Sequence, residues 1–165
     1  MGRTLICLAL IAAFACAPAM AGSGFADRVS DATGPLVGLG IAATFFGPGD
    51  NARNDAVKVA DAAAVSLGFA ELLKPNMNID DSGHVHGFPS GHVAIAFGAA
   101  TALADLHPSQ KWTYYAGAAL IGWSRVESGA HTWKDVLGGA AVGLGIGQLS
   151  MTTDGGLLFA RVIKF

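Results

Sequence analysis

Two short stretches of this chain set histidines beside groups that can hold or orient a phosphate. One is Phe88-Pro89-Ser90-Gly91-His92. The other runs Ser124-Arg125-Val126-Glu127-Ser128-Gly129-Ala130-His131-Thr132-Trp133-Lys134-Asp135. Phosphoryl transfer needs a nucleophile, a proton donor for the leaving group, and cations or N–H groups around the phosphate oxygens. His131 is the candidate nucleophile. Asp135 follows four residues later, where its carboxylate can accept a hydrogen bond from one ring nitrogen. That bond fixes the tautomer and leaves the other nitrogen to attack phosphorus. His92 is the candidate general acid, because an imidazole of pKa ~6.5 donates a proton near neutrality. Ser90 offers a hydroxyl donor. Gly91 lets the N–H groups of a helix start approach an anion closely. Arg125 can grip two phosphate oxygens at once. Lys74, which follows an apolar helix, can neutralise another.

Helices must carry these side chains. The chain alternates apolar helical stretches with Gly, Pro, Asn and Asp punctuation. The first helix is expected over residues 26–46, with Gly34-Pro35 a break near its start. The second spans 54–73 and ends at Lys74-Pro75. The third spans 91–106, with Ser90 as its N-cap and His107-Pro108 as its stop. The fourth and fifth span 110–125 and 132–149. Five helices with short connections predict an all-α bundle, with both motifs at helix ends facing one side. The tail, residues 156–165, alternates apolar side chains behind Asp154-Gly155 and reads as a strand. Residues 148–153 are its expected partner in a short C-terminal β-hairpin.

The 165 residues are 52% hydrophobic and 13% charged, with mean hydropathy +0.48. A soluble domain is roughly 25% charged. The chain is therefore either membrane-associated or a compact Ala/Gly-rich helical protein. The formal charge of −2 argues against an electrostatic nucleic-acid binder. At the N-terminus, Arg3, an apolar run over 5–16 and Ala17-Pro18-Ala19-Met20-Ala21 make a signal peptide of residues 1–21, cut after Ala21. One domain, 22–165, is then exported to the periplasm or the periplasmic face of the inner membrane. Both cysteines, Cys7 and Cys16, leave with the peptide, so no thiol chemistry is expected. The uncharged stretches 32–49 and 136–153 approach the length of a span but are rich in Gly, which leaves membrane embedding open.

The order and spacing of the motifs resemble the second and third motifs of the type 2 phosphatidic acid phosphatase (PAP2) family. Bacterial class A acid phosphatases and vanadium haloperoxidases share that site. Ser-Arg, five residues, His, three residues, Asp is a long constrained pattern. Pro-Ser-Gly-His lies upstream by about one helical hairpin, and Phe88 and Val136 also fit. The likeness covers residues 72–143. It implies a helical fold and hydrolysis that needs neither metal nor cofactor. It implies a phosphohistidine on His131, with His92 first acid and then base. Lys74, Ser90, Gly91 and Arg125 would hold the phosphoryl oxygens. The substrate implied is a lipid phosphate such as phosphatidic acid or a polyprenyl (pyro)phosphate.

The first family motif, Lys, six residues, Arg-Pro, is only half present. Lys74 is there, but Asp81 and Ser82 stand where the spacing calls for Arg-Pro, and no arginine precedes the second motif. A strong charge-assisted contact is thereby lost. His84 and His86, when protonated, can replace part of it, or the loop points away. His84-Val85-His86 with Asp80, Asp81 or His92 also fits a metal site, set against a plain polar loop. Three other functions compete: a soluble periplasmic acid phosphatase of broad specificity, a vanadate-binding haloperoxidase, and a non-catalytic member that binds lipid or a partner. No oligomeric state is indicated.

Overall fold

The computed structural model describes residues 24–74, 87–153 and 156–158. The signal-peptide segment, the loop with Asp80, Asp81, His84 and His86, and the tail strand over 159–165 lie outside the described residues. Six α-helices form the described chain: α1 Phe25–Asp31, α2 Thr33–Phe45, α3 Ala52–Leu73, α4 Gly91–Leu106, α5 Lys111–Glu127 and α6 Trp133–Thr152. A 3₁₀ turn, Pro108–Gln110, leads into α5. The all-α bundle expected from the sequence is the fold observed.

Helix α4 is the central element because it is small and apolar nearly all round. Val93, Ala94, Ala96, Ala99, Ala100, Ala102 and Leu103 are all buried. One core cluster joins α4 to α2 and α3 through Val37, Val59, Ala62 and Ala63. A second joins it to α1 and α5 through Val29, Ala118 and Ile121. Alanine dominates both, so the helices pack close and hold their register through backbone proximity rather than long side chains.

The contact between α4 and α6 is the tightest. Gly139, Gly143 and Gly147 repeat every four residues and so share one face of α6. A Cβ at Gly143 would lie 2.6 Å from the Ala94 carbonyl oxygen and 2.8 Å from the Gly98 nitrogen. At Gly147 it would lie 2.9 Å from the Gly98 carbonyl oxygen. Side chains there would push the two backbones apart. Their absence locks the start of α6 against the start of α4, where the two motifs sit.

Three expectations need correction. The expected break near the start of the N-terminal helix is present but falls at Ala32 and is complete, giving two helices, α1 and α2; Gly34-Pro35 then sits inside the first turn of α2, where proline is tolerated because those N–H groups have no helical partner. The bundle therefore has six helices, not five. The hairpin partner over 148–153 is wrong: α6 continues helically to Thr152. Ser150 on that last turn is fully buried and donates to Asp61 Oδ2 at 2.8 Å. Asp61 also accepts from the N–H groups of Leu157 and Leu158 at 2.6 and 2.7 Å. A buried carboxylate thus holds Leu157 and Leu158, the described start of the segment that alternation alone assigns to a strand. No described helix is long and apolar enough to cross a membrane.

Candidate active site

The site is built where α4 and α6 begin. Ser90 N–H donates to the Asp135 carbonyl at 3.0 Å, which ties the two motifs together directly. The Phe88 ring lies against Gly138, where a Cβ would collide with it. Before α6, the chain leaves α5 through Gly129, whose φ of 69° is left-handed. Gly129 N–H then bonds the Val126 carbonyl at 3.0 Å, and His131 N–H bonds the Arg125 carbonyl at 2.9 Å. The turn folds His131 back over the last turn of α5 and keeps it beside Arg125.

Asp135 is held by a capping box. Its Oδ2 accepts from Thr132 N–H at 2.9 Å and from the Thr132 hydroxyl at 3.0 Å. Its own N–H donates to Thr132 Oγ1 at 3.4 Å. His131 Nδ1 faces the same Oδ2 at 3.6 Å, and the two side chains are 9% and 8% exposed. Thr132 was not among the sequence-derived site residues. Its signal is the Thr-x-x-Asp spacing that marks a helix start.

Burial lowers the His131 pKa most, Arg125 lowers it further, and Asp135 only partly offsets them, so it falls from 6.5 to about 4. At neutral pH the ring is therefore uncharged. His92, at the solvent-facing start of α4, is also lowered, first by desolvation and then by Arg125 and Lys74. Arg125 itself is lowered by burial, while Asp31 and Asp27 act in the opposite sense. These couplings place His92, Arg125, His131 and Lys74 in one electrostatic cluster.

Lys74 reaches the cluster from the end of α3. Its Nζ pairs with Glu71 at 2.5 Å. The same Nζ lies 3.7 Å from where a Cβ of Gly91 would sit, and the Lys74 stem packs on Gly87. Gly91 thus admits the Glu71–Lys74 pair to the first turn of α4. Ser90 departs from expectation in one respect. It is the N-cap residue of α4, but its side chain makes no capping bond. Its hydroxyl is fully buried with no hydrogen-bond partner among the described residues.

All seven sequence-derived residues, Lys74, Ser90, Gly91, His92, Arg125, His131 and Asp135, fall in this one region. Among the described residues no group of three or more His, Cys, Asp or Glu is placed to hold a metal ion, and the loop with Asp80 and Asp81 that the metal reading needs is not among them. His84 and His86 lie outside them. A second feature, Ser30, was missed. Its Oγ accepts from Arg125 Nη1 at 2.6 Å across 95 positions of sequence. An apolar cavity of about 320 Å³, lined by Leu36, Leu39, Leu103, Leu106 and Tyr114 among others, lies at the other end of α4 and includes neither site histidine.

Fold and site together define an all-α protein with a cation-lined pair of histidines at the starts of two packed helices. The PAP2 superfamily model matches residues 59–156, and the chain belongs to that superfamily. Over 73 residues it is 40% identical to a lipid A 1-phosphatase of Porphyromonas gingivalis. That match covers 42% of this chain and 16% of the relative, so the chain spans about a sixth of the protein it matches. No solved structure matches.

Proposed function

We propose that this chain is a metal-independent phosphatase that removes phosphate from a lipid phosphate through a phosphohistidine. The observation that carries the reading is the buried His131–Asp135 pair beside Arg125. Neutral His131 attacks phosphorus through Nε2 while Asp135 takes up the positive charge growing on the ring through Nδ1. The P–O bond to the lipid alcohol breaks, and His92 gives its proton to the leaving oxygen. Water then attacks the phosphohistidine, His92 accepts its proton, and orthophosphate leaves. Lys74, Arg125, the Ser90 hydroxyl and the N–H groups at Gly91 hold the phosphoryl oxygens.

Two features favour a lipid substrate over a small polar ester. Large apolar side chains stand exposed close in sequence to site residues: Leu72 at 73%, Trp133 at 56% and Leu137 at 66%. Such exposure beside a polar site suits an acyl-bearing ligand. The similar protein from Porphyromonas gingivalis is named for a lipid phosphate, lipid A. Export to the periplasm by residues 1–21 is part of the same proposal.

The test is phosphate release from a short-chain phosphatidic acid in EDTA, with glycerol phosphate as the non-lipid comparison. Release that persists in EDTA and vanishes in His131→Ala supports the mechanism. Full activity in His131→Ala overturns it. Equal turnover of both esters moves the substrate class to small phosphomonoesters. No release from folded protein puts the non-catalytic reading first.

A further inference from the structure

We propose that Ser30 is a positioning residue, which sets the edge that Arg125 presents to phosphate. The inference rests on the reading of Arg125 as a phosphate ligand. A guanidinium carries five N–H donors and two forks that match a pair of phosphate oxygens, one end-on through Nη1 and Nη2 and one side-on through Nε and Nη2. Ser30 Oγ takes Nη1 at 2.6 Å. That bond fixes the rotation of the guanidinium plane and commits one Nη1 N–H to the protein. Arg125 Nε is buried and has no hydrogen-bond partner among the described residues. A buried N–H without a partner is costly, and the cost is relieved when an oxygen arrives. With Nη1 tied to Ser30, the edge whose donor is still unpaired is Nε–Nη2, and this is the edge assigned to the substrate.

Ser30 can act this way because it is packed into the core. It is 2% exposed, and its neighbour Val29 is fully buried against Ala96, Ala100, Ala118 and Ile121. Phe25 packs on Trp123, two residues before Arg125, with ring centroids 6.2 Å apart. Helix α1 thus docks on α5 at the level of the arginine. Asp27 and Asp31 on the same helix favour the charged guanidinium. Helix α1 lies outside residues 59–156, the span that matches the family model. In this chain an element beyond the shared region finishes the site.

The test compares Ser30→Ala with the wild type in ester hydrolysis and in direct calorimetric binding of orthophosphate. Loss of the Nη1 contact should raise KM and weaken orthophosphate binding about three- to tenfold, with kcat within about twofold. In an Arg125→Lys background the same Ser30 change should have no further effect, because lysine has no fork to orient. Thr33→Ala is the control. It removes another buried hydroxyl, which donates to the Ser30 carbonyl at 2.7 Å, and it should leave orthophosphate binding as in the wild type. An unchanged KM in folded Ser30→Ala overturns the proposal, as does an equal effect with and without Arg125. If the wild type hydrolyses no ester but Ser30→Ala still weakens orthophosphate binding, the positioning role stands and the catalytic reading falls.

Discussion

Replacing His131 with asparagine should remove an acid sensitivity that the wild-type fold carries. The imidazole has a pKa of about 4 in the folded protein, pushed down mainly by burial and by Arg125, against 6.5 for an ordinary histidine. Between those values the unfolded chain binds a proton at this position and the folded chain does not. Stability must therefore rise with pH through the window from about 4 to 6.5, and fall on acidification through it. The contribution is nearly absent above pH 7.5. At pH 5 the folded state is disfavoured by on the order of 2 kcal/mol, from the ratio of proton binding by the two states. Below about pH 4 both states are protonated and the loss levels off. Asparagine does not titrate, so His131→Asn should lack this component while keeping a polar side chain next to Asp135. The assay is urea unfolding at pH 5 and pH 7.5, with stability from linear extrapolation. Wild type should lose about 2 kcal/mol more than the variant between the two conditions. Parallel losses in the two proteins would refute the reasoning, since they would mean that His131 titrates in the fold as it does in the unfolded chain.

Gly143→Ala should destabilise by about 1–3 kcal/mol in chemical denaturation, because its Cβ meets backbone atoms of Ala94 and Gly98 that cannot yield. Gly145→Ala, on the same helix with nothing within 4 Å of the new Cβ, should instead stabilise by up to about 1 kcal/mol. Asp61→Ala should cost about 2–4 kcal/mol, since it strands the Ser150 hydroxyl and the N–H groups of Leu157 and Leu158. That variant should keep the wild-type KM at temperatures where it is folded, which a substrate titration checks.

The parts of this architecture written in local chemistry could be read from the sequence. Helix α4 begins and ends where Ser90-Gly91 and His107-Pro108 say it should. Proline after His107 and the capping residues before α6 act over one turn, so their signal survives any tertiary context. His92, Arg125, His131 and Asp135 were legible for another reason. Their types and spacing suit the phosphate chemistry proposed for them, and the packing of α4 on α6 brings them into one region. What was not legible depends mostly on contacts far apart in the chain. The division between α1 and α2 falls at Ala32, three residues ahead of Pro35, which has no N–H for the Asp31 carbonyl, so the Gly34-Pro35 signal marks the break but not its position. The last turn of α6 reads as alternating strand until Ser150 is seen to meet Asp61. A lone serine such as Ser30 has no spacing signature at all.

The charges of the site bear on how the proposed phosphate binding would proceed with an incomplete first motif. Lys74 and Arg125 both press the two histidines toward neutrality. Each cation in turn has a resting counter-charge: Glu71 for Lys74, and Asp31 with Asp27 for Arg125. A phosphate dianion entering at the start of α4 would pair with both cations and reverse the sign of the field on the histidines. Their responses should differ because their surroundings differ. Burial favours the neutral form of His131, 9% exposed in its side chain, and that is the form the proposed attack requires. His92 faces solvent, so the same anion can restore its proton and make it an acid. On the proposed mechanism, substrate binding and the charging of His92 are then one event, carried by Lys74 and Arg125 without the arginine that the first motif lacks.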